Sequence, residues 1–256
     1  MPTVTTPRGT FYVADYRRPR TAGTPTLLIH GAGGAHLDMP APLRKNAALQ
    51  PIAPDLSGHG RSAGAGQRSI HDYALDVLAV ADALGVAAFN ALGHSMGGAI
   101  ALELALLAPE RVRRLVLIAT APVIPVNPQI IAGFQTDPTA TAQRIAGWMW
   151  PKGTPDEVIM QSAQRMTQTR PSVILNDYTA CDRFDVRDRL CEITAPTLII
   201  HGGQDRMIRA SEAERLAASL PHSTLKLFPD AGHMVHMEHA DEVSALIAAW
   251  LSSEAS

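Results

Sequence analysis

Ser95 lies at the centre of Gly93-His94-Ser95-Met96-Gly97, with Gly98 following, an apolar run (Phe89–Leu92) before it and a small-residue helical run from Met96 after it. A sharp strand-to-helix turn leaves no room for side chains two positions before and after its centre, so the two glycines fit such a turn. The central residue is then held in a strained backbone with its side chain projecting above the sheet. The start of a helix brings unpaired backbone N–H groups to the same point. A serine hydroxyl becomes a nucleophile when a base takes its proton and an acid orients that base. The base is expected at His233, in Phe228-Pro229-Asp230-Ala231-Gly232-His233, and the acid at Asp205, in His201-Gly202-Gly203-Gln204-Asp205. Asp230 is the second choice of acid, because it shares one tight loop with His233.

These residues need a scaffold that brings three loops to one edge. Thr26–His30, Gln50–Pro54, Phe89–Gly93, Arg114–Ala119, Thr197–His201 and Thr224–Phe228 read as strands. Ile70–Leu84, Met96–Leu107, Ser211–Leu220 and Val235–Leu251 carry helical spacing. Strands alternating with helices imply βαβ units and a mostly parallel sheet covered on both faces, with ligands received at the carboxyl ends of the strands. Residues 122–190 break the rhythm. They contain no strand-length β-branched run, and Trp148, Met149, Trp150, Met160, Met166, Tyr178 and Phe184 stand there in helical or irregular context. The expected organisation is a core of residues 1–121 and 191–256, with 122–190 inserted as a helical cap.

Composition excludes several classes. The 256 residues are 46% hydrophobic and 18% charged, enough for a large core and unlike a disordered chain. A formal charge of −2 gives no electrostatic case for nucleic acid or an anionic membrane. The longest apolar stretch, Leu115–Val126, is broken by Pro122 and Pro125 and is too short for a bilayer span. Residues 1–8 lack the pattern of a secretory leader, so a cytoplasmic location is expected. Cys181 and Cys191 are too few for a disulfide framework and are expected as free thiols.

Rival sites are weaker. His233, His236 and His239 recur every third residue near Glu238, but the His-Glu-x-x-His pattern of a helical zinc site is absent. Gly31-Ala32-Gly33-Gly34 follows a strand yet lacks both the dinucleotide G-x-G-x-x-G and a phosphate-loop lysine. No metal and no cofactor is expected. His94 and His59 flank glycine turns and read as hydrogen-bonding scaffold.

The motifs together resemble the α/β-hydrolase superfamily, in particular its small capped esterases and enol-lactonases. The resemblance is carried by His30-Gly31, Asp55-Leu56-Ser57-Gly58-His59-Gly60-Arg61-Ser62, Gly93–Gly98, Gly202–Asp205 and Gly232-His233, and the order Ser, Asp, His is the family's order. It implies that the backbone N–H groups of Ala32 and Met96 form the oxyanion hole, and that the Asp55–Ser62 stretch is structural. The expected activity is hydrolysis of a small-molecule carboxylic ester through an acyl-enzyme on Ser95. Trp148, Trp150, Phe134 and His94 are expected to line an apolar substrate pocket, while Arg144, Arg165 and Arg170 could meet a carboxylate or face water. The same triad would serve a C–C bond hydrolase, an enol-lactonase or a cofactor-free perhydrolase or haloperoxidase. A ligand-binding receptor on the same fold is the alternative from another class, and turnover of a short-chain ester separates it from an enzyme.

Overall fold

The computed structural model describes residues 3–18 and 23–253. Met1 and Pro2, which open the stretch read for a leader, lie outside the described residues. Eight strands form one sheet: β1 (Thr3–Thr6), β2 (Gly9–Asp15), β3 (Thr26–Ile29), β4 (Pro51–Pro54), β5 (Phe89–His94), β6 (Val112–Ile118), β7 (Thr197–Gly202) and β8 (Ser223–Phe228), in the order β1-β2-β4-β3-β5-β6-β7-β8. The pairs β1–β2 and β2–β4 are antiparallel and the rest parallel. The helices are α1 (Ala41–Arg44), α2 (Ile70–Ala83), α3 (Met96–Leu107), α4 (Pro128–Thr136), α5 (Pro138–Met149), α6 (Asp156–Met166), α7 (Pro171–Asp182), α8 (Ala210–Ser219), α9 (Val235–Glu238) and α10 (Ala240–Ser252). The α/β architecture with a mostly parallel sheet agrees with the sequence reading.

The period-2 alternation of strands divides the central residues between two cores. Leu27, Ile29, Ala91, Leu115, Leu117 and Ile199 face the layer holding α2 and α3. Leu28, Leu92, Val116, Ile118, Leu198 and Ile200 face the layer holding α10. Both sets are buried, which is why these strands read as near-continuous apolar runs.

The sequence reading assigned no strand before Thr26, and β1 and β2 correct it. Phe11 to Ala14 of β2 are buried in succession, so the strand lacks the polar-apolar alternation that would mark it. The expected helix over Val235–Leu251 is two helices, because His239 leaves helical geometry with φ −120° and ψ 46°. Among the described residues no helix is long and apolar enough to cross a membrane.

Between β6 and β7 the chain builds α4 to α7, which share an apolar cluster formed by Ile130, Phe134, Ile145, Met166, Ile174 and Tyr178. The helices start where local chemistry stops the extended chain. Asn127 and Asp137 cap α4 and α5 through their side chains, and Pro128, Pro138 and Pro171 stand in the first turns of α4, α5 and α7.

Candidate active site

Ser95 sits between β5 and α3 with φ 53° and ψ −118°, a backbone that costs a non-glycine residue about 1–3 kcal/mol. Its surroundings enforce that geometry. The Ser95 N–H donates to the Ile118 carbonyl at 2.9 Å, and the Thr120 hydroxyl donates to the Ser95 carbonyl at 2.9 Å. A Cβ on Gly93 would collide with the Gly97 carbonyl, and one on Gly97 with the Ile29 carbonyl. The two glycines are therefore required by close backbone approach.

The β7–α8 and β8–α9 loops bring the other two residues together. His233 Nδ1 lies 2.7 Å from Asp205 Oδ2. Asp205 Oδ1 accepts the N–H groups of Met207 at 2.8 Å and Ile208 at 2.9 Å, so the carboxylate is held on both oxygens. Burial works to raise the Asp205 pKa. The charge and hydrogen bond of His233 and the Ile208 N–H outweigh it and keep the group below its ordinary value. An ionised acceptor at Nδ1 selects the tautomer with its proton there, which leaves the Nε2 lone pair free. His94 Nε2 donates to the His233 carbonyl at 3.0 Å and the His233 N–H donates to Met149 O at 2.9 Å, so both backbone groups of His233 are fixed.

Ser95 and His233 open on one cavity of about 360 Å³. Its walls are mostly apolar, with Ile124, Ile145, Trp148, Met149, Trp150 and Met207 among them. Among the described residues no side chain hydrogen-bonds to Ser95 Oγ, which faces the cavity. The N–H groups of Ala32 and Met96 likewise have no partner among the described residues, and both residues stand beside Ser95, Ala32 on the cavity wall and Met96 next in the chain.

Trp148, Trp150 and His94 line the cavity; Phe134 does not, and this corrects the sequence reading. Phe134 stacks on Tyr178 with ring centroids 5.8 Å apart, buried beneath the wall that Tyr178 forms. Of the three arginines, Arg165 reaches the wall, 3.9 Å from Asp38, and Arg170 donates to the Gly64 carbonyl. Asp230 is exposed and lies 3.5 Å from His239 Nε2, away from His233. His233, His236 and His239 go to three separate partners: Asp205, the Asp38 carbonyl and Asp230. Both cysteines are free, and burial pushes the Cys181 thiol well up. Arg206 and Asp177 carry no motif and do not figure in the sequence reading, which has Tyr178 only among the aromatic residues of the insertion. Arg206 lies next to Asp205 and donates to the Gly147 carbonyl at 3.0 Å; Asp177 touches the Gly31–Gly34 turn.

Residues 26–246 match the family described as the alpha/beta hydrolase family. The chain is 35% identical over 244 residues to the dihydrolipoyllysine-residue acetyltransferase component of the acetoin cleaving system of Pseudomonas putida, covering 90% of this chain and 64% of that protein. It therefore spans less than two thirds of that relative's length. It is 30% identical over 255 residues to the 2-hydroxymuconate semialdehyde hydrolase of Pseudomonas putida, covering 90% of this chain and 88% of that one. The enol-lactonase from Burkholderia xenovorans LB400 has the same fold, with a TM-score of 0.90 at 23% identity over 98% of this chain and 100% of that one.

Proposed function

The chain belongs to the alpha/beta hydrolase family, and within it we propose a serine hydrolase that cleaves carboxylic esters of small or medium, largely apolar substrates. The observation that carries this reading is the Asp205–His233 bond of 2.7 Å, which leaves His233 Nε2 as the free base on the cavity that Ser95 also faces. His233 takes the Ser95 proton as Oγ attacks the ester carbonyl. The N–H groups of Ala32 and Met96 stabilise the oxyanion, and the proton passes from His233 to the leaving alcohol. Water then attacks the acyl-enzyme with His233 as base, and Ser95 leaves with that proton. No step calls for a metal or a cofactor. Residues 122–190 act as the cap, which supplies most of the apolar wall around the acyl group.

A second reading is C–C bond hydrolysis, supported by the match to the Pseudomonas putida 2-hydroxymuconate semialdehyde hydrolase over nearly the whole chain. It needs the same nucleophile and, in addition, a proton delivered to the departing carbon. A panel of p-nitrophenyl esters of rising acyl length tests the first reading, with and without a serine-directed phosphonate. Turnover abolished by phosphonate, with the label on Ser95, is the expected result. Labelling elsewhere sinks it, and faster cleavage of a vinylogous 1,5-diketone than of any ester favours the second reading.

A further inference from the structure

Gly31 to Gly34 form a turn closed by the Gly34 N–H donating to the Gly31 carbonyl at 3.2 Å. Gly33 stands third in it with φ 66°, the position where a type II turn takes glycine. The polar groups of Gly33 do not bond to the core that carries them. Its N–H donates to Asp177 Oδ2 at 2.9 Å, and its carbonyl accepts from the Thr169 hydroxyl at 3.0 Å. Thr169 precedes α7 and Asp177 lies within it, so both tethers come from the inserted helices.

Asp177 is fully buried, which is costly for a carboxyl group unless its oxygens are matched by donors. Three segments of the core supply them. Beside the Gly33 N–H, His59 Nε2 lies 2.8 Å from Oδ2, and the Tyr73 hydroxyl donates to Oδ1. His59 Nδ1 faces the Ser57 carbonyl at 2.9 Å, so both ring nitrogens meet acceptors and the doubly protonated ring satisfies both. Burial works to lower the His59 pKa, but the charge and hydrogen bond of Asp177 outweigh it and leave it raised.

We propose that Asp177 is a positioning residue for the oxyanion hole: from the inserted helix α7 it fixes the turn that presents the Ala32 N–H to the substrate carbonyl. This rests on the acyl-transfer reading above, with Ala32 as one of the two donors. The Gly33 N–H belongs to the peptide that immediately follows Ala32. Flipping that peptide converts a type II turn to type I, and both central residues change dihedral angle when it does. Asp177 and Thr169 together close that route. Lifting α7 away would leave the Gly33 N–H and its carbonyl without their partners and would strip His59 Nε2 of its carboxylate, so this end of the insertion is a fixed brace.

The experiment compares Asp177→Asn, Thr169→Val and Tyr73→Phe with the wild type. An asparagine offers one acceptor oxygen where two now serve three donors, so at least one donor loses its partner. Asp177→Asn is expected to lower kcat by roughly 10- to 100-fold with KM within about threefold, since a misaimed donor acts on the transition state. Affinity for a trifluoromethyl ketone, whose serine adduct carries an oxyanion, should fall by the same factor. Thr169→Val should show the same pattern at smaller size, and it removes no charge, so it serves if Asp177→Asn does not fold. Tyr73→Phe withdraws a donor from the same carboxyl group without touching Gly33, and should leave kcat and ketone affinity near wild type. Hydrogen exchange at the Gly33 amide, slow in the wild type and faster in Asp177→Asn, needs no substrate and stands apart from the acyl-transfer reading. Unchanged Gly33 exchange in Asp177→Asn, ketone binding as tight as wild type, or an equal kcat loss in Tyr73→Phe would each overturn the inference.

Discussion

The sheet edge and the four inserted helices face each other across one cavity, and they are built from different material. All ten histidines lie outside residues 122–190, and so do Ser95, Asp205, Ala32 and Met96. The insertion supplies most of the apolar wall, through Ile130, Ile145, Trp148, Met149, Met166 and Tyr178. On the sheet edge, function depends on where backbone can go; on the insertion, it depends on the volume side chains leave open. The lesson is a division of labour. Substitutions at the sheet edge should change rate, and substitutions in the helical wall should change which substrate is accepted. Asp177 and Thr169 reach across that division to the Gly31–Gly34 turn.

The largest effect is expected at the centre of the sheet edge. Ser95→Ala removes the proposed nucleophile and relaxes nothing else that touches the cavity wall, so ester turnover should fall by about 10⁴- to 10⁶-fold with an unchanged melting temperature. A variant that keeps a tenth of wild-type activity in a p-nitrophenyl ester assay would place the nucleophile elsewhere.

Next in size comes the proposed acid. Asp205→Asn keeps the shape but can donate to His233 Nδ1, which selects the wrong tautomer; kcat should fall by about 10⁴-fold. Asp230→Asn should be close to wild type, because Asp230 is exposed and lies against His239, not His233. Circular dichroism and melting temperature establish that the two variants are equally folded. If Asp230→Asn were the inactive one, the acid would be misassigned while Ser95 and His233 could stand.

That division also explains what could be read before any coordinates. The sheet edge is legible because its geometry admits few residue types. Only glycine fits at Gly93 and Gly97, where a Cβ would meet backbone oxygen, and the strands feeding the three loops are apolar runs that end at Gly or Asp. The insertion follows ordinary helix rules, which fix where helices begin but not which side chains meet. Phe134 and Trp148 are both aromatic residues of the insertion, yet one lies under Tyr178 and the other lines the cavity. Asp177 has no sequence signal, since its three donors come from positions 33, 59 and 73 and only the fold collects them. The strand β2 escaped because it is buried on both faces, which erases alternation.

Acid should act on the sheet edge before the insertion. Burial is the largest influence on His30, His94, His201 and His236 and lowers all four, His30 to about 4 and His236 to about 3. A histidine near 6.5 when unfolded takes up a proton on acidification that the folded protein refuses, so stability falls as pH drops from about 6.5 toward those folded values. Each such group contributes a slope on the order of one kcal/mol per pH unit at most. His59 is raised and opposes them: its contribution is full below about 6.5 and is lost at higher pH, through its raised folded value. The carboxyls of Asp38, Asp76 and Glu238, raised mainly by burial, act in the same sense as His59 but start from lower ordinary values, so the four lowered rings set the trend just below neutral pH. The melting temperature should therefore decline from pH 7 to about pH 6, and a constant or rising value there would contradict the neutral, buried state of these rings.

The smallest effect is the one that separates the two regions most directly. Trp148 is half-buried on the helical wall and touches neither Ser95 nor His233 through a hydrogen bond. Trp148→Ala enlarges the apolar cavity and removes contact area from a short acyl chain. At about 25 cal/mol per Å² of apolar surface, losing some 40–60 Å² of contact is about 1–1.5 kcal/mol, or roughly a 5- to 12-fold rise in KM. Longer acyl chains should recover that contact by filling the new space, so the preferred chain length shifts upward while kcat on the best substrate stays within about threefold. The measurement is kcat and KM across the same ester series in wild type and variant. A uniform fall in kcat at every chain length, with no shift in preference, would mean that the wall works on the reacting atoms, and the division between sheet edge and insertion would fail at Trp148.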